Sequence, residues 1–310
     1  MISKESIPWV EKYRPDVFED IILDSNNKEL FKRILETNYF PNLLFHGPPG
    51  IGKTTTIINL INKFKKQNNE ESKSLIIHLN ASDERGIDII RNNIYNFVIS
   101  DNLFSKGTKF VILDEVDYMT KIAQQALKCL LQEYNKGIKY CLICNYISKI
   151  DYSLQYEFIK VRFNKLTEND IYNYLNKISK EEGINMKKQN IINIIRNFDS
   201  DIRSMINYMQ SNIHNKINIM DDKVYNNLLN INKNGTIQTF NKNFNMLENK
   251  YNINKSLIIK NYITYILNNK LELLNSGLIR ELEYIIHNLE NAEICINYVY
   301  YCIKEINHLE

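Results

Sequence analysis

Eight residues, GPPGIGKT from Gly47 to Thr54, constrain this chain more than any other stretch. They fit the pattern G-x-x-x-x-G-K-[ST], which needs a strand before it and a helix after it. Backbone N–H groups at Gly47, Gly50 and Gly52 can then curl around phosphate oxygens, at the positive end of the helix that follows. The flanking residues meet both demands. Asn42–His46 is a short apolar run, and Lys53–Lys66 has helical spacing.

Further strand candidates are Ser74–Asn80, Lys109–Asp114 and Tyr140–Asn145, and further helix candidates are Gly86–Ser100 and Ile122–Asn135. This alternation implies a parallel sheet covered by helices on both faces, an α/β P-loop core. Beyond Leu166 the strands stop. The Thr-x-x-Asp start of LTENDIYNYL opens a helix at Thr167, with others expected over 187–197 and 201–211. A loop around 232–235 precedes a last helical set, where SLIIKNYITYIL and IRELEYIIHNL repeat apolar residues at i, i+3, i+4. The expected layout is an α/β domain over 1–165, a small helical lid over 166–230 and an all-α collar over 231–310.

Composition excludes little. Thirty-nine basic against 36 acidic side chains leave a net charge of +3, which can still hide a local basic face. No apolar run reaches the ~18 residues of a membrane span, and the N-terminus lacks a signal-peptide core, so an intracellular chain is expected. Cys141 and Cys144 form a C-x-x-C, but YCLICNY reads as a buried strand with no second pair nearby to complete a zinc site.

The loop residues Gly47, Pro48, Pro49, Gly50, Ile51, Gly52, Lys53, Thr54 and Thr55 form the phosphate site, expected to take ATP with Mg²⁺. Lys53 reaches the β- and γ-phosphates, and the Thr54 hydroxyl is a metal ligand. VILDEVD is an apolar strand ending in acids, which sets Asp114 beside the metal and Glu115 toward an attacking water. A carboxylate in that place implies hydrolysis. Asn145, at the end of the next strand, is placed to orient the same water.

Five stretches together carry a family likeness: PWVEKYRP, GPPGIGKTTT, LNASDERGID, LDEVDYMTKIAQQAL and CLICNYISKI. They resemble the small ATPase subunits of eukaryotic replication factor C, an AAA+ clamp loader, over about residues 7–210. CNYISKI is nearest to the subunit in the middle of that pentameric ring. The resemblance implies a nuclear, ring-forming ATPase whose partners are the other loader subunits, the sliding clamp and primer–template DNA. It implies that Val10, Tyr13, Arg14 and Pro15 line an adenine pocket, and that Arg203 is a sensor reaching the γ-phosphate. It also implies sequence-independent DNA contacts from Arg85 and Arg91, with Lys121 and Lys128 as candidates on the next helix.

The chain departs from that pattern in three places. Where the family has Ser-Arg-Cys, with an arginine that enters the neighbour's ATP site, this chain has Tyr156-Glu157-Phe158. The charge is inverted at Glu157, so the chain is expected to keep its own site and to give its neighbour no arginine. Ile51 replaces a threonine, which leaves the backbone N–H in place, and Ser204 replaces a basic residue. Two other functions stay open at this point: an ATP-bound structural ring member that hydrolyses little, and another AAA+ DNA machine.

Overall fold

The computed structural model describes residues 7–70, 72–82, 93–100, 107–133, 137–184, 186–212 and 220–307. Among these, β1 (Leu43–His46), β2 (Ile76–Asn80), β3 (Lys109–Asp114), β4 (Ile138–Cys144) and β5 (Ile159–Arg162) form one sheet in the order β2-β3-β4-β1-β5. Every pairing is parallel. The order places β1 in the interior of the sheet, so the loop that leaves it emerges at the sheet's C-terminal edge. In open α/β sheets that edge is where ligands bind.

Alternation along the strands builds two cores. Leu43, Phe45, Phe110, Ile112, Cys141 and Ile143 face α2 (Ser25–Glu36) and α3 (Lys53–Gln67), against Phe31, Ile34, Ile57 and Leu60. Leu44, Val111, Leu113, Leu142 and Cys144 face the opposite way, onto α4 (Tyr95–Ile99), α5 (Lys121–Glu133) and α6 (Tyr152–Gln155). Cys141 and Cys144 therefore lie on opposite faces of β4, three residues apart, and both are buried free thiols. The expected reading of them as structural holds.

β5 was not anticipated. Its four residues alternate buried Val161 with exposed Lys160 and Arg162, so no apolar run marks it. The edge of a sheet tolerates such a strand because one side stays in water. Of the expected helix over 86–100, only its C-terminal part falls among the described residues, as α4.

The chain divides into two compact units, Met1–Ile178 with Ser200–Tyr208, and Ser179–Asp199 with Met209–Glu310. The first holds the sheet, the start of α7 (Glu168–Glu181) and most of α9 (Ile202–Ser211). Thr167 caps α7, its hydroxyl accepting from Asp170 N at 3.2 Å, as the Thr-x-x-Asp pattern implied. The second unit contains α8 (Lys188–Phe198), α10 (Asp222–Asn234), α11 (Ile237–Tyr251), α12 (Lys255–Asn269), α13 (Ser276–His287) and α14 (Ala292–Asn307). Its asparagine-rich sequence supplies helix caps, because Asn254 and Asn275 accept from Leu257 N and Leu278 N, each at 2.8 Å. The expected loop at 232–235 shrinks to Gly235 and Thr236, since α10 runs to Asn234 and Thr236 caps α11.

Candidate nucleotide-binding site

The loop between β1 and α3 opens a cleft of about 370 Å³ in the first unit. Gly50 and Gly52 take left-handed φ values of +73° and +88°, which side-chain-bearing residues avoid. At Gly52 nothing lies within 4 Å of where a Cβ would stand, so the space a phosphate needs is open. Lys53 opens α3, and its ammonium donates to Gly47 O and Pro48 O at 2.7 Å and to Asn145 Oδ1 at 2.9 Å. All three acceptors are neutral. Among the described residues Lys53 has no ion-pair partner, so its charge is available to an anion. Burial, more than any neighbour, pulls its pKa below the usual lysine value.

The acids stand opposite. Thr54 Oγ1 donates to Asp114 Oδ2 at 2.6 Å, which brings together a hydroxyl and a carboxylate as the sequence required. Hard oxygen donors of this kind suit Mg²⁺, which takes one or two carboxylates and completes its shell from phosphates and water. Among the described residues no cluster of three or more His, Cys, Asp or Glu could hold a metal by itself. The residues present therefore fit a metal that arrives with its nucleotide. Glu115 lines the cleft with φ +55° and ψ +39°, a left-handed backbone for a residue with a side chain. Its N–H donates to Asp114 Oδ1 at 2.8 Å, which locks the two acids together. Strain retained at such a place points to function.

The other wall comes from the N-terminal arm, which includes α1 (Trp9–Lys12). Val10, Arg14 and Pro15 line the cleft, while Gly47, Pro48 and Tyr13 lie outside its lining. Tyr13 meets buried Trp9 edge-on, with ring centres 6.4 Å apart, so its ring packs the arm. Its carbonyl accepts from the Tyr174 hydroxyl of α7 at 2.5 Å, and Pro15 O accepts from Asn59 Nδ2 of α3 at 2.8 Å. Arg14 Nε donates to Thr55 Oγ1 at 3.1 Å. Arg203 reaches the cleft from α9, beside Ile202 and Ile206. Asp20, Ile21, Ile22, His78 and Tyr174 also line it and were not anticipated. Tyr174 sits on an amphipathic helix and carries no motif, so nothing local in the sequence marks it.

Other expected positions are less defined. Arg85 and Arg91 lie outside the described residues. Lys121 and Lys128 stand seven positions, two turns, apart on one side of α5. Glu157 follows α6, and its Oε1 accepts from Gln132 Nε2 at 2.9 Å. Among the described residues no helix is long and apolar enough to cross a membrane.

Comparison with known proteins bears on this site. The family model described as "ATPase family associated with various cellular activities (AAA)" matches residues 43–166. The chain is 37% identical to replication factor C subunit 5 of Mus musculus, over 66% of this chain and 60% of that protein. It is 35% identical to replication factor C subunit 3 of Schizosaccharomyces pombe, over 67% of this chain and 60% of that one. The chain thus spans about six-tenths of the length of the curated relatives it matches. Among solved structures, a lysine-to-arginine variant of Thermotoga maritima RuvB superposes with a TM-score of 0.55 at 14% identity, covering 81% of this chain and 80% of that one. At that identity the likeness concerns the fold. The matched segment, the parallel sheet and the phosphate loop make residues 43–166 an AAA domain with the P-loop ATPase fold.

Proposed function

We propose that this chain binds and hydrolyses ATP as one subunit of a hetero-pentameric, nuclear clamp loader that opens a sliding clamp and sets it on primer–template DNA. The observation that carries the reading is the convergence of Lys53, Thr54, Asp114, Glu115, Asn145 and Arg203 on one cleft, in a chain whose relatives are named as replication factor C subunits.

Mg²⁺-ATP supplies the transferable phosphoryl group. Toward it, Lys53 exchanges its carbonyl partners for phosphate oxygens, and Thr54 and Asp114 offer the metal their oxygens. Glu115 draws a proton from the attacking water, and Asn145, released by Lys53, holds that water in line. Arg203 senses the triphosphate from α9, so nucleotide state changes how that helix is held. Lys121 and Lys128, with Arg85 and Arg91, meet DNA phosphates without reading sequence. Residues 166–230 serve as lid and 231–310 as the collar that joins subunits.

In the same reading this chain gives the neighbouring ATP site no arginine, because Glu157 stands at the position from which a trans arginine supplies about 10³–10⁵ in rate. The test is native mass spectrometry of the complex purified with this chain, combined with clamp loading on primed DNA. One copy in a five-membered assembly that loads clamps is expected. A monomer, or an assembly of identical copies without loading activity, contradicts the reading.

A further inference from the structure

We infer that Lys160, on the edge strand β5, is the cation this chain presents to the phosphates of the neighbouring subunit's nucleotide; the inference rests on the clamp-loader reading above.

The residue at the inverted position is not free to act. Glu157 is half-buried, and its carboxylate is turned onto α5, where Gln132 donates to it at 2.9 Å. The residues on either side make a different surface. Tyr156 is 81% exposed, and the Lys160 ammonium lies 6.0 Å from the centre of its ring. Lys160 thus reaches back from β5 to the residue adjacent to Glu157, the end of α6 from which a trans residue would extend. A cation resting on an exposed aromatic face is loosely held and leaves it readily for a phosphate.

The surroundings are positive. Arg162 follows on the same face of β5 and is exposed. In register beside it on β1 stands His46. Among the described residues neither Lys160 nor Arg162 has a carboxylate within ion-pair distance. Burial, and then the charges of Arg162, Lys160 and Lys53, disfavour the charged form of His46. A patch of unbalanced positive charge on a sheet edge draws an anion. Among the described residues β5 pairs only with β1, which makes it an edge strand of the sheet.

The experiment reads ATP turnover in the assembled complex at saturating clamp and primed DNA, with the other phosphate loops silenced so that the neighbour's site alone turns over. Lys160→Ala is expected to lower kcat at that site about 10- to 100-fold, less than loss of a trans arginine because an ammonium acts as a point charge. Lys160→Arg is expected to hold or raise kcat, and Glu157→Arg to restore it in the Lys160→Ala background. Turnover within twofold of wild type in an intact Lys160→Ala complex overturns the inference alone. So does a loss confined to DNA affinity, which makes Lys160 a DNA contact. A wild-type chain that joins no pentamer overturns the clamp-loader reading and this inference with it.

Discussion

Substituting Gly50 by alanine tests how the phosphate loop is joined to α9. A Cβ at Gly50 would stand 2.0 Å from Asp201 Oδ1, 2.6 Å from its Cγ and 3.1 Å from its Cα. The Asp201 carboxylate must therefore turn away. In turning it gives up Ser204 N at 3.1 Å and Ser204 Oγ at 2.8 Å, the bonds that cap α9. Losing such a cap costs about 0.5–2 kcal/mol. Holding an alanine at the +73° φ of Gly50 adds ~1–2 kcal/mol. Gly50→Ala is thus expected to destabilise by about 1.5–4 kcal/mol. Gly52→Ala, with φ +88° and open space around it, is expected to cost only the backbone part, ~1–2 kcal/mol. Urea unfolding followed by the fluorescence of Trp9, the single tryptophan and buried in the same unit, reads both. Asp201→Ala removes the clashing carboxylate, so the double variant should be more stable than the sum of the singles implies, by about 1 kcal/mol. Nucleotide affinity should rank the other way, since a methyl at Gly52 fills the phosphate space. Equal losses for the two alanines, or strict additivity with Asp201→Ala, would refute the reasoning.

Other expectations concern the arm, the thiols and pH. Asn59→Ala removes the donor to Pro15 O. It should cost about 1–2 kcal/mol and weaken nucleotide binding, measured by titration calorimetry, because the wall carrying Val10 and Arg14 loses an anchor. Burial pushes the Cys144 thiol up to about 12 and raises Cys141 as well. At pH 8 a maleimide should label exposed Cys129 in the native protein and reach the β4 cysteines only on unfolding; fast native labelling of Cys144 would contradict the packing. His46 has a folded pKa below its unfolded value near 6.5, so the unfolded chain binds the extra proton and stability falls as pH drops below about 6.5. His46→Gln should flatten that fall in urea midpoints measured from pH 7.5 to 5, and an unchanged slope would exclude His46 as its source.

The parts legible in the sequence were those whose physics is local. Lys109–Asp114 is legible to the residue, because an uninterrupted apolar run ends in acids there and the strand is buried on both faces. β1 and β4 came within two residues at each end for the same reason. β5 escaped because Lys160 and Arg162 break its apolar pattern, which only an edge position permits. In the site, the phosphate loop and the Asp-Glu pair announced themselves by spacing. What joins them did not: Lys53 meets Asn145 across 92 positions, and Tyr174 holds Tyr13 across 161. Such contacts follow from how helices stack on the sheet, which no short window encodes. Likewise the sequence showed the reversed charge at Glu157, but not that Gln132 holds it or that Lys160 lies over Tyr156.

The most direct test of the central claim is ATP turnover by the reconstituted complex, with clamp and primed DNA, carrying Glu115→Gln in this chain. Glu115 stands in the cleft beside the Thr54–Asp114 pair, on a backbone strained to hold it there. The variant should bind ATP as wild type does, lose the turnover of this one site and slow release of the loaded clamp. Turnover and loading that match wild type, with ATP still bound, would show that the nucleotide here braces the assembly and is not spent.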